Sequence, residues 1–456
     1  MEEEFILSQP TEAFKKLSWP LIIFAIFTAF YNLIDLYWAN TFNKEATIVI
    51  ALIIPLFLLI NTIGKNIGQG TNVVMSHYQG ASDIDESSNS LIHGILICII
   101  ISIIIPLLVL IFFNPLISIL NIQSESNLIY SYLMPLATFS FIFIFPLFFT
   151  ETAISEGSAT RPIIYLIVQD AMKLILAPIL IFKVDLGIAG LAYTTLISSL
   201  IPFVLFMYMY SSKTKIKIDF SKFKLNLKII YEIFIIAIPN SLDTGLFSIF
   251  GIIMNILLIG LIGPASIVIY IIYDNLREII TSSSRGCARS LLTIIGHLKG
   301  NEDFENIKSV MKYVFKFTYK LNIIVILIYI ILYSIIVYLF KFNASTVFLN
   351  SISFGVGTLN ILLIINSMLL PICYLCSHIL NGLKKSIYSL LNTVIKLSLM
   401  LLFSFILSYY TDLRLWGVFI GILLAEIIAI ISYSITTQRI LFKLGISDYD
   451  ILKIRK

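Results

Sequence analysis

Charge is scarce in this chain. Of its 456 residues 12% are charged, about half the share found in an average soluble domain, while 59% are hydrophobic. A water-soluble fold of this length has no room to hide so much apolar surface, so the bilayer is the solvent. Other absences narrow the function. No glycine-rich phosphate loop with its lysine is present, which argues against an ATP-driven pump. The four histidines, His77, His93, His297 and His378, show no ligand spacing, so neither a metal site nor a histidine relay is expected, and His77 and His297 read as structural. The four cysteines, Cys98, Cys287, Cys373 and Cys376, lie in apolar segments where no oxidised framework is expected. Cys373 and Cys376 form a CxxC without a second ligand pair and read as helix packing. The polar start, with Glu2, Glu3 and Glu4, lacks the basic region and small-residue cleavage site of a secretory signal, so the first apolar segment is expected to stay in the mature protein. A membrane enzyme or receptor, the reading from another class, needs a catalytic constellation or a soluble sensor domain, and the sequence offers neither.

What is present is a series of apolar runs, each long enough to cross about 30 Å of hydrocarbon. The expected helices are 17–41, 46–76, 89–113, 127–155, 162–182, 187–211, 229–260, 264–296, 309–340, 351–382, 386–410 and 415–442. The expected fold is therefore an all-α polytopic membrane protein with twelve transmembrane helices. Twelve spans put both termini on one side. That side also holds Ser212 to Lys228 with its six lysines, whereas the connections on the other side offer only Lys44, Lys183, Lys341 and Arg414. The positive-inside rule then places the termini in the cytoplasm, and Trp19 and Trp38 bracket the first span at interface spacing. Ser212 to Lys228 reads as a topogenic linker, with a lipid- or partner-binding patch as the other reading.

The chain repeats itself. At an offset of 219, Pro20 matches Pro239 and Ala46-Thr47-Ile48-Val49 matches Ala265-Ser266-Ile267-Val268. At 220, His77-Tyr78-Gln79-Gly80 followed by Asp83 matches His297-Leu298-Lys299-Gly300 followed by Asp303, and at 223 Tyr165 and Lys173 match Tyr388 and Lys396. The expected domains are a six-helix bundle over 1–211, a lysine-rich linker over 212–228 and a second bundle over 229–456. An even number of spans per copy keeps both copies in one orientation, so the bundles are expected to be related by a pseudo-twofold axis along the membrane normal. That is a transporter architecture more than a channel one.

Several motifs carry a resemblance. The first helix has Pro20 and then Phe30-Tyr31-Asn32-Leu33-Ile34-Asp35; the second ends in Gly68-Gln69-Gly70-Thr71 and His77-Tyr78-Gln79-Gly80-Ala81. Glu156-Gly157, Gly187-Ile188-Ala189-Gly190-Leu191-Ala192 and Asn381-Gly382 follow in order. Over essentially the whole chain this resembles the multidrug and toxic compound extrusion (MATE) family. The resemblance implies an alternating-access exporter driven by a sodium or proton gradient. The same superfamily includes flippases of lipid-linked oligosaccharides, so substrate does not follow from fold.

Ionisable groups within spans are costly and mark function. Tyr31, Asn32 and Asp35 form one polar stripe on the first helix. The resemblance places Asp35 at the family's cation-binding carboxylate; read from the residues alone, it can also be a packing group bonded to Asn32 or a neighbour. On the fifth helix the family's asparagine and aspartate positions hold Lys173 and Ala177, just before Pro178, while Thr195 keeps the family's hydroxyl position. An ammonium beside Asp35 would stand in for a bound cation, which favours a proton over sodium as coupling ion. Asp170 can compete for the same lysine.

The second half offers Lys396, the repeat-mate of Lys173, and Arg285, which falls opposite Lys65, with Arg289 one turn on. Its acidic groups are Asp243, Asp274, Glu278 and Glu426. Lys65, Asp243, Asp274, Arg285, Lys396 and Glu426 are the cavity and substrate candidates. The basic ones read either as intramembrane ion pairs, with snorkelling suiting Arg289 best, or as contacts to a substrate anion. Glu151 reads as facing the cytoplasmic vestibule. The expected activity is export of small organic solutes, with a flippase for an anionic lipid-linked sugar as the alternative if Lys65, Lys173, Arg285 and Lys396 line one open cavity. No cofactor is expected beyond H+ or Na+ as coupling ion. The expected partners are a small-molecule substrate and the lipid bilayer, with no nucleic acid, and the chain is expected to be a monomer in the plasma membrane.

Overall fold

The computed structural model describes residues 3–42, 44–120, 126–156, 160–212, 218, 223–263, 265–340 and 357–446; the side chains of 27–59, Tyr31, Asn32 and Asp35 among them, lie outside the described set. The described residues form α1 (Glu3–Ser8), α2 (Pro10–Phe42), α3 (Lys44–Gly80), α4 (Ile84–Leu120), α5 (Ser126–Thr138), α6 (Phe141–Ser155) and α7 (Thr160–Pro178). A π turn (Ile179–Lys183) leads to α8 (Gly187–Ser212), then α9 (Leu227–Leu261), α10 (Ala265–Gly300), α11 (Phe304–Phe340), α12 (Gly357–Gly382), α13 (Ser386–Tyr409) and α14 (Leu415–Lys443). With α5 and α6 taken as one bent span, α2 to α14 make twelve segments that match the twelve expected spans one for one. Among the described residues seven helices are long and apolar enough to cross a membrane, and eight with that bent pair.

The ends differ from expectation for local reasons. Helix α2 starts seven residues early, because Pro10 suits a first helical position and Glu12 follows in the first turn. Helices α4 and α11 also start early, at caps that the repeat supplies twice. Asp83 Oδ1 accepts the Glu86 backbone N–H at 3.1 Å, and Asp303 Oδ1 accepts that of Asn306 at the same distance. Just before each aspartate the chain reverses at a positive φ, 60° at Ser82 and 55° at Glu302. The repeated His-x-x-Gly-x-x-Asp motif is thus a helix stop followed by a helix start.

The expected span 127–155 is broken instead of continuous. Its two parts bend by 53° between Thr138 and Phe141. Pro135 and Pro146 flank the break, each deleting an i→i−4 hydrogen bond, and Ser140 Oγ donates to the Ser102 carbonyl of α4 at 3.4 Å. Both parts are apolar, so a sequence window sees one helix.

Two compact units partition the chain. The first comprises Met1–Gln9, Phe30–Ser241 and Gly296–Asn301; the second comprises Pro10–Ala29, Leu242–Ile295 and Glu302–Lys456. In the first, α3 packs along α6, where Gly68 lets the helices approach until a side chain there would meet Phe148 and Glu151. In the second, α14 packs along α13 and α12, over an apolar core that includes Met254, Tyr273, Leu363 and Phe419.

Candidate functional site

The second unit assembles charge on four helices, with Lys396 and Glu426 buried and Asp243, Asp274 and Arg277 half-buried. Glu426 of α14 is fully buried, and its Oε1 lies 3.4 Å from Lys396 Nζ on α13 and 3.5 Å from Arg277 on α10. Arg277 also pairs with Asp274, one turn earlier on the same helix. Asp243 of α9 lies against the Thr393 hydroxyl and within electrostatic reach of Lys396. With all five groups ionised, three carboxylates face two basic groups, so the cluster carries one excess negative charge. Taking ions out of water costs several kcal/mol each, and shared partners are what make such burial tolerable.

The cluster is not fully satisfied. Glu426 Oε2, Asp243 Oδ1 and the Tyr273 hydroxyl are buried without a hydrogen-bond partner among the described residues. A carboxylate oxygen in that position can be satisfied by taking a proton or by accepting from a bound solute. Aromatic rings pack around it: Tyr273 lies on Phe419 with ring centroids 4.3 Å apart, and Tyr270 and Tyr374 lie within electrostatic reach of Arg277. Sequence reasoning named Asp243, Asp274, Lys396 and Glu426 but missed Arg277, which holds two of them together. An Asp-x-x-Arg pair is common on solvated helix faces, so only its place inside a span set it apart.

Two basic groups stand apart from this cluster. Arg285 pairs with Glu278, Nη1 to Oε1 at 3.1 Å, and donates to the Glu278 carbonyl at 2.8 Å. Arg289 does not snorkel to an interface: it is buried with its guanidinium 4.4 Å above the Phe24 ring.

In the first unit, Lys173 and Asp170 are both buried on α7, and Thr195 is buried on α8. Gln169 ties the two helices by donating to Ser199 Oγ at 2.8 Å. Asp35, Asn32 and Tyr31 fall on α2, outside the described side chains, so the pairing of Lys173 with Asp35 or Asp170 stays an expectation. Lys65 is exposed on α3. Glu151 does not face a vestibule. It is fully buried, accepts from Gln69 Nε2 at 3.4 Å, and Gln69 in turn accepts from Asn240 of α9 at 3.1 Å. His297 is buried with Nε2 3.0 Å from the Ser155 carbonyl, in keeping with a structural role.

Residues 20–179 match the MatE family model. Over 263 residues the chain is 26% identical to the multidrug export protein MepA of Staphylococcus aureus (strain NCTC 8325 / PS 47), covering 56% of this chain and 58% of that protein. MepA of Staphylococcus haemolyticus (strain JCSC1435) matches with the same identity and coverage. The chain therefore matches little more than half the length of these curated relatives. Over 97% of its own length its fold is similar to that of a MATE crystallised with MaL6, at a TM-score of 0.90 and 22% identity, covering 99% of that chain. It is also similar to a MOP superfamily transporter from Pyrococcus furiosus described as having a binding pocket of reverse polarity, at a TM-score of 0.88 and 23% identity, covering 97% of this chain and 98% of that one. At such identities the likeness establishes the fold: an all-α, multi-span membrane protein with the twelve-helix architecture of these transporters.

Proposed function

We propose that this chain, a MATE-family chain by its MatE domain and its fold, exports small organic solutes by alternating access, in exchange for protons. One observation carries the reading: the fully buried Glu426 carboxylate is shared by Lys396 and Arg277 and keeps one oxygen without a hydrogen bond among the described residues. A shared carboxylate of this kind can give up a basic partner when it takes a proton, which changes the contacts between helices. The ammonium supplies permanently what a sodium ion would supply reversibly, and this favours the proton as coupling ion.

The aromatic rings around the cluster and its surplus of carboxylates over basic groups favour solutes that are lipophilic and cationic or neutral. The flippase alternative needs basic groups available to an anion. Lys396 and Arg285 are each paired with a carboxylate and Lys173 is buried, which weighs against that alternative, while of the four named groups Lys65 is exposed. The likeness to MepA, a multidrug export protein, agrees with the solute reading. Expression of the chain in drug-sensitive cells should lower accumulation of a fluorescent lipophilic cation severalfold, and a protonophore should abolish the difference. Unchanged accumulation of cationic probes, together with transfer of an anionic lipid-linked sugar across vesicle membranes, would replace this reading with the flippase.

The same proposal places both termini and the 212–228 segment in the cytoplasm, on the lysine asymmetry. Single cysteines introduced at Ser212 and Lys44 are expected to react with an impermeant maleimide from opposite sides of the membrane. Reaction of both from one side would defeat the topology.

A further inference from the structure

The repeated helix stop does something that its sequence alone does not show. Within the first unit the ends of α3 and α10, the same helix in the two copies of the repeat, meet reciprocally. A Cβ at Gly80 would collide with the backbone carbonyl of His297, and a Cβ at Gly300 would collide with the backbone carbonyl of His77. Each copy thus presents its glycine to the other copy's histidine carbonyl. Those two carbonyls also accept the backbone N–H of Ala81 and of Asn301, each at 3.1 Å, so they belong to the helix stops themselves. One turn inward, a Cβ at Gly296 would sit 3.0 Å from the Ser76 Cβ. No residue but glycine allows backbone to approach backbone so closely.

We propose that Gly80 and Gly300 form the gate at the cytoplasmic end of α3 and α10, a reciprocal backbone clasp that is closed in this structure and parts once in each transport cycle. The inference rests on the exporter reading, since a gate requires a cycle. Alternating access in duplicated carriers brings equivalent elements of the two copies together on one side of the site and separates them in the opposite state. The glycine contacts fit that demand. They bury no charge, and they are geometrically all-or-none, because a backbone contact that tight is either made or lost. The His297 ring, buried against the Ser155 carbonyl at the end of α6, seats the α10 side of the clasp.

The test uses the full-length chain in nanodiscs, with its four buried native cysteines replaced by alanine and spin labels on cysteines introduced at Ala81 and Asn301. Both positions are exposed and directly follow the two glycines. Double electron–electron resonance should show a dominant short-distance population. In the Gly80→Ala/Gly300→Ala background the ratio of long to short distances is expected to rise roughly tenfold or more. An unchanged distribution in that variant, folded by circular dichroism and monodisperse, overturns the clasp. If the double variant does not fold, the parent supplies the test: a short bismaleimide bridge between the same two cysteines should stop transport, whereas either singly modified chain stays active. Full transport by the bridged chain overturns the gate. A distance shift without transport of any solute supports the clasp and counts against the exporter reading, so the two failures are distinguishable.

Discussion

Glu426→Gln is expected to abolish solute export and to destabilise the purified protein by about 3–5 kcal/mol, the usual cost of removing one partner of a buried ion pair. The cause is what the substitution leaves behind. Lys396 keeps a buried ammonium whose nearest ionic partner has gone, while Arg277 retains Asp274. Adding Lys396→Met should recover most of the lost stability without restoring transport, because the apolar side chain removes the stranded charge but not the need for a titratable group. Thermal melting in detergent and vesicle transport measure the two effects separately. Parent-like stability and parent-like transport in Glu426→Gln would remove the cluster from the mechanism.

Asp35→Asn is expected to lower gradient-driven transport by roughly tenfold or more while leaving the protein folded, as befits a functional carboxylate within a span. Asp35 shares a polar stripe with Tyr31 and Asn32, and α7 carries the buried Lys173 and Asp170. On the proposed pairing of Lys173 with Asp35, Lys173→Met should uncouple the same site in a different way, by giving Asp35 reason to recruit a cation. Full activity of Asp35→Asn, with unchanged dependence on the gradient, would exclude it from coupling.

The legible parts of the fold were those set by period and punctuation. The twelve segments follow from hydropathy, whereas the helices that end at Gly80 and Gly300 run four residues past the expected ends at 76 and 296. What escaped depended on contacts across helices. Arg277 looked like an ordinary i, i+3 partner of Asp274, and its second carboxylate, Glu426, lies 149 positions further along the chain. The burial of Glu151 follows from the close approach of α6 at Gly68, and that of Arg289 from Phe24, a residue of another helix. The bend between α5 and α6 left no polar gap in the sequence, since both parts are apolar. The repeat pairing of Lys173 with Lys396 was visible, and both lysines prove to be buried.

The central claim is proton-coupled export without sodium. Its most direct measurement is uptake of a lipophilic cation into vesicles reconstituted with the chain, in sodium-free buffer, with an acidic lumen as the only driving force. The account predicts uptake that follows the pH difference, collapses with a protonophore and is lost in Glu426→Gln and Asp35→Asn. Uptake that appears only when a sodium gradient is imposed, or that persists in both variants, would contradict it.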